Sequence, residues 1–536
     1  MLDGFVPWPA EVAEEYRAAG LWRGESLLEL LRAPAYSDPS ADALVDGERM
    51  WTREQLWDAV ATRAAGLLAG GLRPTDRVVI QLPNSADFVI TFLGTVWAGL
   101  IPVLALPGHR RTELRHIAAT VGARALCVSG RPGADVDFEE LAAQVAADVP
   151  SIEIVIVDGR RIGATELDDP GSSAQAPSSH VPSGSDIALF LLSGGTTGLP
   201  KLIARTHDDY SLNIAQSSTV SGLGPDSRYL VALPAGHNFP LGCPGLLGTL
   251  ASGGTVIMAP SPSVKSVFPL AARSRPTISA VVPAVAISWM EAEGRESLAS
   301  LEVLQVGGAR MNPEVAKEVT PRLGCTLQQV FGMAEGLLNY TRLDDPEPIM
   351  VHTQGRKISE FDEIRIVDEQ DQPVEAGAVG ELLTRGPYTI RGYFAAPDHN
   401  VKSFTPDGFY RTGDLVRADE QGNLIVEGRA KDHINRGGEK ISAEEIENYV
   451  LSHPNVVNAA AFGVPDPVLG DRIWLVVEAN AELSLGDVRQ HFTDCGVATF
   501  KFPEFLDVVD SLPLTNVGKV DKAGLREKYS VKEGSA

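Results

Sequence analysis

The sequence predicts an α/β protein: helix-covered parallel sheets fill most of the chain, a β-rich module follows, and a small α+β unit ends it. Three observations carry this. From Arg77 onward, short β-branched runs alternate with helical patterns, the order that lays parallel strands under helices. Between about 351 and 427 the strands crowd together, separated by Gly and Asp turns, as in an antiparallel module. From about 431 to 536 helices and strands mix in a segment of small-domain size.

The alternating region opens with the strand RVVIQL, then a helix from about Ser85, the strand IPVLAL and a helix from about Arg111. ALCVS, a helix over 138–147 and IEIVIV continue it. The run 88–106 is uncharged and largely apolar, near the roughly 20 residues that span a bilayer. Gly99 and Pro102 interrupt it, so a buried helix ending near Ala98 and a short strand over 101–106 are expected instead. Residues 164–186, rich in Ser, Pro, Gly and Asp, read as an exposed connection leading to the strand IALFLLS, which runs into glycines. EIRIVD, GELLTRG and NLIVEG are the strands of the β-rich module. The C-terminal unit begins with a helix from about Ser442, followed by the strands VVNAAAFGV and RIWLVVE, a helix near Leu485, a strand near Phe505 and a final helix. No repeat of solenoid period is present.

At 536 residues the chain exceeds what one core organises, so at least two domains are expected. A hydrophobic share of 44% against 22% charged excludes a largely disordered chain. The formal charge of −24 argues against nucleic acid or an anionic membrane as the main partner, because phosphate-rich surfaces are repelled. A nucleotide in a local site remains compatible. Cys127, Cys243, Cys325 and Cys495 are scattered with no CxxC pair, which points to neither a disulfide framework nor a zinc site. The N-terminus is acidic and lacks an apolar h-region, so a cytoplasmic protein is expected.

The most informative segment is Leu191 to Lys201, LLSGGTTGLPK, in which Ser193, Gly194, Gly195, Thr196, Thr197, Gly198 and Lys201 follow a buried strand. Such a loop offers backbone N–H groups, hydroxyls and a cation to phosphate oxygens. It is not a Walker A loop, because Leu-Pro separates Gly198 from Lys201. The glycines alone read equally well as a plain turn.

Four more segments come in order: VFGMAEG at 330–336, YRTGD at 410–414, GRAKDHINRGGEKISAEEIE from Gly428, and PLTNVGKVDK from Pro513. Together with SGGTTGLPK they resemble the adenylate-forming superfamily of acyl-CoA synthetases and peptide-synthetase adenylation domains, over nearly the whole chain. The resemblance implies an N-terminal core over 1–430, made of two sheets and a β-barrel-like module, and a mobile lid over 431–536. It implies a reaction in which ATP, with Mg2+, activates a carboxylic acid as its acyl-AMP before a thiol takes the acyl group. Gly308, Ala309, Val330, Phe331, Gly332 and Met333 are then expected around the nucleotide, Asp414 on the ribose hydroxyls and Arg429 on ribose or phosphate. A carboxylate suits a diol because it only accepts hydrogen bonds. Glu335 is expected to hold Mg2+, and Lys519 to bridge the acid's carboxylate and the α-phosphate. Lys431 resembles the hinge, and Gly437, Gly438 and Lys440 the lining of the phosphopantetheine tunnel.

Within the superfamily, HNFPLGCP at 237–244 and GMAEGLLNYTRLDD from Gly332 resemble the stand-alone aryl acid ligases of siderophore synthesis. His237 is expected among the catalytic residues, and Asn238 on a hydroxyl ortho to the carboxylate. Phe239, Gly308, Val330 and Leu338 would line the ring pocket. Cys243 and Leu338 stand where ligases for 2,3-dihydroxybenzoate tend to carry Ser and Val. A thiol pairs weakly with a 3-hydroxyl and leucine narrows the pocket, which favours salicylate or a related 2-hydroxybenzoate. The acceptor implied is the phosphopantetheine thiol of an aryl carrier protein. A 2,3-dihydroxybenzoate ligase and an aryl-CoA ligase share these motifs. A non-catalytic acyl-binding relative would lose charge at the chemistry, whereas Lys519, Glu335 and Asp414 are all present.

Overall fold

The computed structural model describes residues 2–130, 136–158, 160–161, 182–193, 199–429, 433–436, 439–466, 470–495, 497, 499–515 and 519–533. Two large sheets organise the N-terminal part. In the nine-stranded sheet the strands Asp42–Asp46, Thr255–Met258, Arg228–Val231, Ile278–Val281, Val303–Gly307 and Thr326–Gly332 run parallel. Antiparallel strands close its edges: Arg49–Thr52 on one side, Leu338–Tyr340 and Arg356–Lys357 on the other. The seven-stranded sheet runs Arg160–Arg161, Ile154–Val157, Ala125–Val128, Arg77–Gln81, Ile101–Leu104, Ile187–Leu192, Leu202–Thr206, parallel at its centre and antiparallel at both edges.

The uncharged run resolves as expected. Helix Ala86–Trp97 starts where the Ser85 hydroxyl accepts the Phe88 N–H at 3.2 Å and ends ahead of Gly99, whose φ of +73° reverses the chain into strand Ile101–Leu104. Nine residues of that helix are buried in a core that also holds Val78, Ile80, Val231 and Val256, so its apolar face is spent between the two sheets. Among the described residues no helix is long and apolar enough to cross a membrane.

The β-rich module is a four-stranded antiparallel sheet of Glu363–Val367, Gly380–Arg385, Tyr410–Ala418 and Leu424–Arg429. It packs Leu382, Val416, Leu424 and Val426 onto Leu337 beside Phe331 and Met333. It begins later than the expected 351: helix Glu347–His352 precedes it, and strand Arg356–Lys357 completes the large sheet. The boundary expected at 430/431 falls outside the described residues. Beyond it, a five-stranded sheet carries helices Ala443–Leu451 and Leu485–Asp494 over one core and helix Lys522–Glu533 over another. This small unit touches the large one where Ser442 Oγ donates to the Glu427 carbonyl at 2.7 Å.

Candidate functional site

Parallel strands leave their carboxyl ends free to hold ligands in the loops that follow them. Here the ends of both large sheets face one cleft of about 1780 Å³: Leu192 and Ser193 from one, His237, Val282, Gly308 and Gly332 from the other. The β-rich module contributes Thr412 to Asp414, and the small unit contributes Lys519.

At one end of the cleft, His237 caps the short helix Asn238–Gly242, its Nδ1 accepting the Phe239 N–H at 3.3 Å. Burial, reinforced by the charge of Lys519, pushes the imidazole down to about 4, so it is neutral near pH 7 and its proton sits on Nε2. Asn238 and Phe239 are buried at the pocket wall. The Asn238 amide accepts from the Tyr210 hydroxyl at 2.9 Å and donates to Cys243 Sγ at 3.3 Å. Burial pushes the Cys243 thiol up to about 12, so it stays protonated.

Phe239 owes its place to a glycine that sequence reading passed over. A Cβ at Gly307 would stand 3.0 Å from the Phe239 ring and 2.7 Å from the Val330 carbonyl oxygen, so only glycine admits the ring there. Gly332 and Leu338 are register partners, and a side chain at Gly332 would meet the Leu338 methyl.

Elsewhere in the cleft, Glu335 lies in the turn between strands Thr326–Gly332 and Leu338–Tyr340, and its Oε1 accepts from the Tyr393 hydroxyl at 2.7 Å. Tyr393 also shares a hydrogen bond of 2.9 Å with the Tyr410 hydroxyl, while the Lys201 ammonium lies 5.8 Å from its ring centroid. Lys201 and Glu335 therefore both approach Tyr393, one at its ring and the other at its hydroxyl. Tyr393 carried no signal in the sequence. Asp414 is buried, with its N–H on Thr412 Oγ1 at 3.0 Å. Arg310, also missed, lines the cleft and donates to the Val426 carbonyl at 2.7 Å and to Glu427 Oε2 at 3.2 Å.

Lys519 enters from the small unit, where its carbonyl accepts the Thr515 N–H at 2.6 Å and its own N–H donates to Thr515 Oγ1 at 3.2 Å. Its Cε lies 3.4 Å from where a Cβ of Gly308 would stand, a residue whose φ of +82° favours glycine. The lysine thus reaches the glycine that follows strand Val303–Gly307.

Ser193, Lys201, His237, Asn238, Phe239, Cys243, Gly308, Ala309, Val330, Phe331, Gly332, Met333, Glu335, Leu338, Asp414 and Lys519 all line this cleft. Gly194, Gly195, Thr196, Thr197, Gly198, Lys431, Gly437 and Gly438 lie outside the described residues, as do the side chains of Arg429 and Lys440.

Residues 31–394 match the AMP-binding enzyme family, and residues 445–519 match the AMP-binding enzyme C-terminal domain. A salicylyl-CoA synthase / salicylate adenylyltransferase of a Streptomyces species is 52% identical over 98% of this chain and 97% of its own. A 2,3-dihydroxybenzoate-AMP ligase of Bacillus subtilis is 46% identical over 99% of each. A salicyl-AMP ligase / salicyl-S-ArCP synthetase of Mycobacterium tuberculosis is 45% identical over 99% of this chain and 96% of its own. Among solved structures, the apo structure of Mycobacterium smegmatis MbtA superposes with a TM-score of 0.76 at 44% identity, covering 98% of this chain and 99% of that one. The chain belongs to the adenylate-forming family of AMP-binding enzymes.

Proposed function

We propose that the protein joins salicylate to AMP with release of pyrophosphate, and then passes the salicyl group to a phosphopantetheine thiol. The observation that carries this reading is the approach of Lys519 to His237 and Gly308, beside the pocket walled by Asn238, Phe239 and Cys243. A carboxylate entering there meets the lysine's charge where negative charge builds up during attack on the α-phosphate. Positioning and charge neutralisation are the main demands of that step.

The remaining roles follow the cleft. Asp414 accepts from the ribose hydroxyls, and Arg429 sits on ribose or phosphate. Gly308, Ala309 and 330–333 flank the nucleotide, while Lys201 and residues 193–198 hold its phosphates. His237, neutral with Nε2–H as donor, serves the acid's carboxylate. Among the described residues no group of three or more His, Cys, Asp or Glu side chains is arranged to hold a metal. Glu335, whose carboxylate lines the cleft, is the residue that would hold Mg2+ there. When bound, it neutralises phosphate charge. Lys431 as hinge, and Gly437, Gly438 and Lys440 along the phosphopantetheine arm, rest on the motif resemblance.

Cys243 and Leu338 support salicylate over 2,3-dihydroxybenzoate: a protonated thiol is a weak partner for a second hydroxyl, and Leu338 fills space opposite Gly332. We assign the thiol to an aryl carrier protein. A second reading, with coenzyme A as acceptor, is favoured by the 52% identical relative named a salicylyl-CoA synthase. Both acceptors end in the same thiol, and the chain, at −24, has no basic tract for the nucleotide end of coenzyme A.

The test is acid-dependent exchange of labelled pyrophosphate into ATP with salicylate, 2,3-dihydroxybenzoate and benzoate, repeated with Lys519→Ala. Strongest exchange with salicylate, reduced about 100-fold or more in the variant, is expected. Exchange with none of the acids overturns the assignment. Thioester formation on coenzyme A and on a pantetheinylated aryl carrier protein then separates the two acceptors.

A further inference from the structure

The Asn238 side chain is held by the protein on both of its polar atoms. Its Oδ1 accepts from the Tyr210 hydroxyl at 2.9 Å and its Nδ2 donates to Cys243 Sγ at 3.3 Å. An amide nitrogen carries two hydrogens. With Oδ1 engaged by Tyr210 and one N–H by Cys243, the second N–H is the donor that Asn238 keeps for a ligand in the cleft it lines.

Tyr210 is itself fixed. It is fully buried, the Arg205 guanidinium lies 4.8 Å from its ring centroid, and a side chain at Gly242 would collide with its hydroxyl. Arg205 is in turn tied to Asp209 at 2.6 Å, to the Ala334 carbonyl at 2.9 Å and to the Tyr388 carbonyl at 3.2 Å. Burial pushes the Tyr210 hydroxyl well above its ordinary range, so it keeps the proton it donates.

We propose that Tyr210 is a positioning residue that sets the orientation of the Asn238 amide, so that the acid site reads its ligand's ortho substituent as a hydrogen-bond acceptor. The inference rests on the aryl acid reading of the pocket and narrows it to a substrate class. In salicylate the ortho hydroxyl turns its hydrogen inward to its own carboxylate, leaving an outward lone pair for the Asn238 N–H. In 2-aminobenzoate one N–H turns inward and the other points outward, so two donors face each other and both lose a partner in a buried site. Fluorine at the same position offers lone pairs and no hydrogen. The order that follows is 2-hydroxy, then 2-fluoro, then 2-amino.

The experiment measures pyrophosphate exchange by the full-length protein and by Tyr210→Phe with salicylate, 2-fluorobenzoate and 2-aminobenzoate. Circular dichroism establishes the fold of the variant. The native protein should prefer salicylate over 2-aminobenzoate by about 100-fold or more. In Tyr210→Phe the amide is released to turn its oxygen to the ligand, and the ratio should fall at least about tenfold through the KM for acid, with the KM for ATP unchanged. An unchanged ratio in a folded variant overturns the proposal. If the variant does not fold, the native order decides alone: 2-aminobenzoate used as well as 2-fluorobenzoate overturns it, and the reverse supports it. A native protein that exchanges with none of these acids refutes the aryl acid reading itself, an outcome distinct from any of the preceding ones.

Discussion

Asp414 stands directly opposite Arg429: the two are register partners where strand Tyr410–Ala418 pairs antiparallel with Leu424–Arg429. A short excursion of chain brings the YRTGD segment and the start of the segment from Gly428 to one line of the β-rich sheet, at the edge of the cleft. One side of the cleft and the connection to the small unit are therefore built on the same pair of strands.

The first prediction tests the diol reading of Asp414. In Asp414→Asn one acceptor becomes a donor, so the KM for ATP should rise about tenfold or more with a smaller change in the KM for acid. The native protein should discriminate against 2′-deoxy-ATP, and the variant should discriminate less. Equal discrimination in both places the ribose elsewhere.

Tyr393 offers a second. Its hydroxyl lies between Glu335 and Tyr410, and burial first, then the charge of Glu335, raises its pKa far above the usual phenol range, so it is a permanent donor. Removing that donor in Tyr393→Phe leaves the Glu335 carboxylate less firmly aimed. The Mg2+ concentration giving half-maximal exchange should rise about tenfold or more. Binding of Mn2+ in the presence of ATP, followed by electron paramagnetic resonance, should weaken in parallel. An unchanged metal requirement separates Glu335 from the ion.

These two residues also mark how far the sequence could be read. The strands, the end of the buried helix near Ala98 and the order of the motifs were visible because each is written in neighbouring residues: a hydroxyl at a helix start, a glycine at a turn, a β-branched run. Tyr393 and Tyr210 were not, because their meaning lies in partners 58 and 28 residues away, Glu335 and Asn238. Gly307 sits beside Gly308 in VGGA, and only the Phe239 ring against it tells the two apart. The early start assigned to the β-rich module has the same origin. Strand Arg356–Lys357 looks local in sequence, yet it pairs with Leu338–Tyr340 in the large sheet.

A third prediction concerns the pocket floor. In Cys243→Ser with Leu338→Val, a hydroxyl replaces the thiol beside Asn238 Nδ2 and a methylene's worth of space opens opposite Gly332. The ratio of kcat/KM for 2,3-dihydroxybenzoate over salicylate should rise about tenfold or more, from a matched hydroxyl pair plus added volume. The same experiment with Leu338→Val alone isolates the volume effect, which should be the smaller of the two. No change in the double variant removes Cys243 from the ring's surroundings.

The last prediction concerns the contact between the two parts of the chain. Glu444 lies in the first turn of helix Ala443–Leu451, with its carboxylate 3.7 Å from where a Cβ of Gly428 would stand, and burial pushes it up to about 7. Arg310 and Lys522 oppose that shift, while Glu447 and Glu427 reinforce it. Much of the opposing charge is already engaged: Arg310 and Arg417 hold Glu427 at 3.2 and 2.7 Å, and Lys522 holds Glu447 at 2.6 Å. A carboxyl whose pKa is raised in this arrangement stabilises it fully below its ordinary pKa, and that contribution is lost as pH rises through about 7. The arrangement that brings Lys519 to Gly308 should accordingly weaken as pH rises from the ordinary carboxyl value of 4.5 to about 7, and level off above it. In Glu444→Gln the side chain stays neutral, so the ratio of pyrophosphate exchange to thioester formation, which should fall across this range in the native protein, should flatten. A ratio that falls equally in both proteins assigns the pH dependence to a group other than Glu444.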